Sequence, residues 1–173
     1  IKMPAENLKI INSDGELQSM DNLSHKRVLI VGLGKTGLSC ARYLNELIED
    51  GDEVAITDSR KHPPALDELQ QAYPDMAVFI GGFNSEAFNR ATCLIVSPGI
   101  SLREPLIVEA RARGVEIVGD IELFARNANA PVIAITGSNG KSTVTSLLGE
   151  MAKAADLDVR VGGNIGVPAL DLL

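Results

Sequence analysis

The chain has 173 residues, of which 45% are hydrophobic and 23% charged, with two cysteines and no tryptophan. That balance excludes a disordered chain and a disulfide-stapled miniprotein, and the length suits one large domain or one domain with part of a second. A formal net charge of −7 argues against a nucleic-acid-binding face, which needs clustered Lys and Arg, but leaves room for a local cationic pocket.

Residues 1–26 are polar and lack periodicity, so they are expected to form a mostly irregular extension. Met20 stands at the distance of a native start, and residues 1–19 read as an extension that need not be native. From Arg27 the run "RVLIVG" suits a strand buried on both faces. Leu38, Ala41, Leu44, Leu47 and Ile48 then recur at helical spacing, which predicts a helix from about Thr36 to Glu49. "EVAIT" is a second strand closed by Asp58, "PALDELQQAY" a helix with Pro64 near its start, and "AVFIGG" a third strand.

"ATCLIVSPGI" reads as a strand that ends in a Pro-Gly turn. "EPLIVEARARG" is a helix capped by Gly114, "VEIVG" a short strand, and Asp120 the expected cap of a helix through "IELFARN". Pro131 opens an expected strand at 132–135, and Val144, Leu147, Leu148, Met151 and Ala155 mark a helix beyond it. "DVRVGGNIGVP" is expected to be a strand and a glycine-rich loop.

Repeated strand-then-helix order predicts α/β architecture with mostly parallel sheets. The expected arrangement is an irregular 1–26, a Rossmann-like domain at 27–119 and the start of a P-loop NTPase α/β domain at 120–173. The boundary falls between Gly119 and Ala130, and no long linker marks it, so the two parts are expected to pack closely. Cys40 and Cys93 sit in apolar stretches and read as reduced core thiols, and His25 and His62 as surface residues. No apolar run is long enough to span a bilayer and no secretory leader is visible, so the expectation is a cytoplasmic protein with no membrane partner.

Two loops carry the chemistry. In "TGSNGKST", Gly137 and Gly140 let the backbone curl so that successive N–H groups cradle phosphate oxygens. Lys141 would reach the β- and γ-phosphates, Ser142 would set its hydroxyl on Mg2+, and Thr143 could bond a further phosphate oxygen. The spacing departs from the usual Walker pattern, because Ile135 stands where that pattern has glycine. The bland alternative is a Gly-Asn turn that merely caps a helix.

The second loop, "VGLGKTG", puts Gly32, Gly34 and Gly37 on the G-x-G-x-x-G spacing between a strand and a helix. The N–H groups of Lys35 and Thr36 then lie at a helix N-terminus and suit an anion. Asp58 falls where a ribose-binding acid belongs. The bland alternative is a tight turn where small residues permit close packing. No metal-ligand or Ser-His-Asp spacing is visible.

In order along the chain, "VLIVGLGKTGLSCARYL", "TDSR", "SPGI", "VGDIELF", "ITGSNGKSTVTSLLGEMAKAA" and "GGNIGVPAL" resemble the Mur ligases of peptidoglycan synthesis, from about Met20 to Leu173. The "TGSNGKST" form and the unbroken "GLGKTG" resemble the branch that adds D-glutamate. The resemblance implies three domains: a Rossmann-like domain holding the UDP of the substrate, a P-loop ATPase and a third domain. This chain would carry the first and only the start of the second.

By that resemblance Lys35 and Thr36 lie at the UDP diphosphate, and Asp58, Ser59 and Arg60 surround the uracil with Gly99 nearby. Asn164 matches a substrate-contacting position. Gly137, Ser138, Asn139, Gly140, Lys141, Ser142 and Thr143 form the ATP loop, with Lys141 and Ser142 catalytic. The implied substrates are UDP-N-acetylmuramoyl-L-alanine and D-glutamate, with ATP and Mg2+ as cofactors and a monomer when full length. The implied reaction is ATP-driven amide synthesis through an acyl phosphate, for which this stretch alone is expected to be inactive and to serve at most as a binding module. The rival readings are an NAD-dependent oxidoreductase or dinucleotide-sensing module, which leaves "TGSNGKST" without work, and a P-loop kinase or transport ATPase, which leaves the first hundred or so residues unexplained.

Overall fold

The computed structural model describes residues 9–11, 17–19, 26–164 and 166–173. Met20 and His25 lie outside the described residues. Two short strands, β1 (Lys9–Ile11) and β2 (Leu17–Ser19), pair antiparallel, with Ile10 opposite Gln18. The extension is therefore not wholly irregular: a two-stranded ribbon forms inside it.

The centre of the molecule is β3 (Arg27–Val31). Its residues alternate between two buried layers. Val28 and Ile30 enter one apolar cluster, Leu29 and Val31 the other. A strand apolar at every position can be stable only with both faces covered, and both are. The chain leaves β3 through α1 (Lys35–Leu47) into β4 (Glu53–Asp58), then through α2 (Leu66–Ala72) into β5 (Ala77–Ile80). It returns through α3 (Ser85–Arg90) to β6 (Cys93–Val96) on the opposite side of β3. Finally α4 (Pro105–Ala112) leads to β7 (Glu116–Val118) and then α5 (Asp120–Asn127).

The result is a five-stranded parallel sheet in the order β5-β4-β3-β6-β7. One face is covered by Leu38, Ala41 and Leu44 of α1, Leu69 of α2 and Leu123 of α5. The other is covered by Phe88 of α3 with Ile107 and Ala110 of α4. Phe88 is fully buried and meets Phe83 edge to face at 6.0 Å between ring centroids. Each fully buried Leu, Ile or Phe of this kind stabilises by about 1.5–3 kcal/mol.

The α3 helix is absent from the sequence reading. It is six residues long and buries one apolar side chain, too little for a periodic signal. Its start is nevertheless written in the chain: Asn84 caps it by accepting a hydrogen bond from Ala87 N–H at 2.8 Å. Two details also differ. The α1 helix begins one residue earlier than expected and ends at Leu47. Asp120 does not cap α5; Gly119 is the N-cap and Asp120 the first helical residue, where its charge still favours the helix N-terminus.

Beyond α5 the pattern changes. Residues 131–136 form no strand, and Val132 and Ile133 are 56% and 71% exposed. The expected strand at 158–161 is likewise not formed. A strand exists only against a partner, and among the described residues neither segment has one. The helix between them does form, as α6 (Lys141–Ala154), but Gly149 is its only buried residue. Close packing against the first part is achieved farther on, by a 3-10 helix (Ala169–Leu172) whose Ala169 and Leu170 are buried and which lies against α1 and α5.

Candidate functional site

The first glycine-rich turn sits at the carboxyl end of β3, where the chain runs to β4 on one side and later to β6 on the other. Such a reversal of strand order opens a crevice between neighbouring loops. Each glycine of the turn has its own reason. Gly32 has φ +103°, and a Cβ there would meet Ser97 at 3.1 Å and Ile100 at 3.2 Å. A Cβ on Gly37 would lie 2.0 Å from the Gly32 carbonyl oxygen, so helix and turn touch through bare backbone. Gly34 has nothing within 4 Å on its Cβ side. The turn is thus tight at its first glycine, open at its second and closely packed at its third.

The α1 helix starts at this open point. Gly34 is its N-cap, with no side-chain cap and no acidic residue in the first turn. The N–H groups of Lys35, Thr36 and Gly37 therefore have no partner within the helix and carry the positive end of its dipole. Lys35 is exposed and Thr36 half-buried.

Asp58, at the carboxyl end of β4, is only 1% exposed. Its Oδ2 accepts from Leu33 N–H at 2.7 Å and from Arg60 Nη2 at 2.7 Å. Its Oδ1 accepts from Arg60 N–H at 2.8 Å and from Arg60 Nε at 2.9 Å. A carboxylate offers about four lone-pair sites, and these four bonds fill them. Burial pushes the Asp58 carboxyl up, but the Arg60 side chain together with the Leu33 and Arg60 N–H groups outweighs it and holds the group below the ordinary carboxylate range. These four bonds engage both oxygens of Asp58, the residue that the spacing offers as a ribose-binding acid. Asp58 ties the first turn to Arg60, whose Nη2 also reaches the Leu33 carbonyl at 3.5 Å.

The turn after β6 closes the crevice. Ser97 Oγ donates to the Gly32 carbonyl at 3.2 Å, and Ile100 N–H to the Ser97 carbonyl at 3.0 Å. Gly99 lies exposed in this turn, and Ser59 is exposed beside Arg60. The structure so gathers Lys35, Thr36, Asp58, Ser59, Arg60 and Gly99 at one edge of the sheet. Sequence reasoning missed Leu33 and Ser97, which brace the turn; Ser97 belongs to a motif already singled out, but Leu33 carries no sequence signal because it acts through its backbone.

The second turn is built differently. Gly137 and Gly140 have φ +151° and +74°, and Gly140 is the N-cap of α6. Again no side chain caps the helix and no acidic residue occupies its first turn, so the N–H groups of Lys141, Ser142 and Thr143 face outward unpaired within the helix. Lys141 Nζ donates to the Gly137 carbonyl, folding the ammonium across the mouth of the loop. Ser138, Asn139, Ser142 and Thr143 are exposed. Asn164 is exposed in the bend at 163–164, and among the described residues no hydrogen bond joins its side chain to either turn. Among the described residues no group of three or more His, Cys, Asp and Glu could hold a metal ion, and no helix is long and apolar enough to cross a membrane.

Residues 26–119 match the family described as Mur ligase MurD-like, N-terminal domain. The chain is 60% identical over 151 residues to the UDP-N-acetylmuramoylalanine--D-glutamate ligase of Marinobacter nauticus, covering 87% of this chain and 33% of that one. It is 55% identical over 145 residues to the protein of the same name from Pseudomonas aeruginosa, covering 84% of this chain and 32% of that one. Among solved structures, a pseudomurein peptide ligase type C from Methanothermus fervidus aligns with a TM-score of 0.49 and 23% identity over 76% of this chain and 26% of that one. The chain spans about a third of the length of the curated relatives it matches.

Proposed function

The chain belongs to the Mur ligases, in their MurD-like branch, and from that premise we propose that its parallel-sheet part holds the UDP end of a cell-wall precursor at the crevice beside Gly34. The diphosphate lies on the N–H groups of Lys35 and Thr36, where the open side of Gly34 admits it to the backbone. The uracil lies among Ser59, Arg60 and Gly99. Asp58 grips one edge of the Arg60 guanidinium, leaving a flat, half-exposed face on which a pyrimidine can stack. Asp58 acts behind these groups and holds Arg60 and Leu33 in place.

The protein to which this stretch belongs is proposed to join D-glutamate to UDP-N-acetylmuramoyl-L-alanine in the cytoplasm, the activity for which its relatives are named. The γ-phosphoryl group would pass from ATP to the alanyl carboxylate with release of ADP, and the D-glutamate amine would then attack the acyl phosphate, losing a proton and expelling inorganic phosphate. The second turn has the donors this needs. Gly137, Ser138, Asn139, Gly140 and Thr143 line a loop of N–H and hydroxyl groups, and the Lys141 ammonium already bonds an oxygen across it. The Ser142 hydroxyl would hold Mg2+, which would supply positive charge at the transferring phosphate. These cations and dipoles offset the repulsion between two approaching anions. Asn164 would hold the reacting end of the substrate.

The observation that carries the first site is the filled carboxylate of Asp58 next to unpaired helix N–H groups. The diphosphate that UDP and a redox dinucleotide share needs donors, which this crevice offers; the acidic ribose acceptor that a redox dinucleotide uses in addition is engaged here by Arg60 and Leu33. Titrating the chain with UDP and with NAD, followed by amide NMR shifts, tests this. UDP is expected to shift Thr36 and Arg60 while NAD leaves them unmoved. NAD binding with no response to UDP would overturn the reading.

A further inference from the structure

Three polar or charged side chains are buried among the described residues: Ser39, Thr57 and Asp58. Asp58 belongs to the first turn. Thr57 Oγ1 takes a long bond of 3.4 Å from the N–H of Asn84, the N-cap of α3. Ser39 is different, because its partner lies 132 residues away. Its hydroxyl donates to Asp171 Oδ1 at 2.7 Å, and Arg42 Nη1, one turn along α1, donates to Asp171 Oδ2 at 3.0 Å. Arg42 is braced from its other side by Glu68 of α2 at 2.7 Å. Beside this junction Ala169 and Leu170 are buried against the main core, with Leu170 in the same cluster as Leu38 and Leu123.

The junction continues without a gap to α6. Arg160 Nη1 donates to the Leu172 carbonyl at 2.7 Å, and Gly163 N–H to the Val167 carbonyl at 2.7 Å, so that the described residues 160–164 and 166–172 form a hook. Within it a Cβ on Gly162 would lie 2.5 Å from the Val167 carbonyl oxygen and 2.7 Å from Leu172 Cδ1. At its far side Val161 Cγ2 presses on Gly149, where a Cβ would lie 2.6 Å away. Gly149 is the one buried residue of α6. The helix that starts at the second glycine-rich turn is therefore most deeply buried at Gly149, with Thr145, Leu148 and Ala152 half-buried around it, and that contact leads through the hook to Ser39 and Arg42.

We propose that Asp171 is a positioning residue: it latches the hook onto α1 and so fixes α6, with the second turn at its head, in register with α1, which carries the first turn at its own head. Ser39 lies about one helical turn from the N-terminus of α1, so the latch grips close to the first turn. For amide synthesis across the two turns this register sets how the nucleotide-bound substrate meets the phosphate loop, an advantage of the proximity kind. The functional meaning rests on the proposed ligands, but the latch itself is a property of the protein without them.

The test is accordingly made without ligand. Spin labels at Asn45→Cys on α1 and Ser146→Cys on α6, both exposed positions, report the distance between the helices. Burial pushes the Cys40 and Cys93 thiols up to about 12, so they compete poorly for the label. A narrow distance distribution is expected in the otherwise unaltered chain, a broad one in Asp171→Ala, and a narrow one again when the charges are exchanged by Arg42→Asp with Asp171→Arg and Glu68→Gln removes the carboxylate that would face the new Asp. Hydrogen exchange should rise about tenfold in 160–172 of Asp171→Ala while β3–β7 keep their protection. An unchanged distance and exchange in Asp171→Ala would overturn the latch. So would a broad distribution before substitution, or a loss of protection spread through the sheet, which would mark a merely structural contact. Failure of UDP to bind would leave all these readouts standing and would count only against the proposed ligand.

Discussion

The two glycine-rich turns use the same elements, a glycine-bearing loop and an uncapped helix N-terminus, yet they stand on different foundations. Gly32 lies between Val31 and Leu33, both fully buried, at the end of a strand paired on both sides. Gly137 follows a segment that pairs with nothing among the described residues and leaves Ile133 71% exposed. In the first turn neighbouring atoms dictate the conformation; in the second the glycines' own backbone freedom permits it. The same sequence device can thus be a load on packing in one place and a local choice in the other.

Substituting alanine at the corresponding glycines should expose that difference most. Gly37→Ala forces a Cβ to 2.0 Å from a backbone oxygen and is expected to cost about 3 kcal/mol or more in urea unfolding of the sheet part. Gly137→Ala meets no atom nearer than 3.8 Å and strains only its own φ of +151°, so about 1–2 kcal/mol is expected, confined to the second turn. Similar losses at both sites would remove the contrast.

A smaller effect, of about 2 kcal/mol, is expected for Asp58→Asn, which puts an NH2 donor in place of one carboxylate oxygen and so against two of the four donors. Because the folded-state pKa of Asp58 is lowered, its contribution is present above the ordinary carboxyl value near 4 and is lost as pH falls through the folded value. The difference in stability between the parent and Asp58→Asn should therefore shrink as the pH is taken below about 4, and a gap that stays constant with pH would break the assignment. Least of all, Lys141→Ala removes one contact to an exposed carbonyl and should leave stability within about 0.5 kcal/mol, while on the proposed function it weakens ATP binding in the full-length protein. A large loss of stability would show that the second turn is braced after all.

The sheet was legible because its strands are self-sufficient signals. "RVLIV" and "CLIV" are apolar at nearly every position, and each ends in turn chemistry. The same kind of run in "VIAI" misled, since apolar character proposes a strand but only a neighbouring strand completes one. The candidate residues of the first turn were legible as positions at the carboxyl ends of β3, β4 and β6. Their roles were not: that Asp58 is fully occupied depends on Arg60 folding back and on the Leu33 N–H pointing inward, neither of which leaves a mark in the sequence. The Ser39–Arg42–Asp171 junction was invisible for a stronger reason, since nothing in a helix surface and a distant aspartate announces that they meet.

The close approach of Gly37 to the Gly32 carbonyl has a thermodynamic consequence. A turn pinned by backbone contact, by Ser97 and by Asp58 has already lost its conformational entropy when the chain folds, so a ligand there need not order it. Binding at such a preformed edge should change heat capacity only by what the ligand itself buries. A loop that had to close would add a larger, negative contribution from newly buried apolar surface.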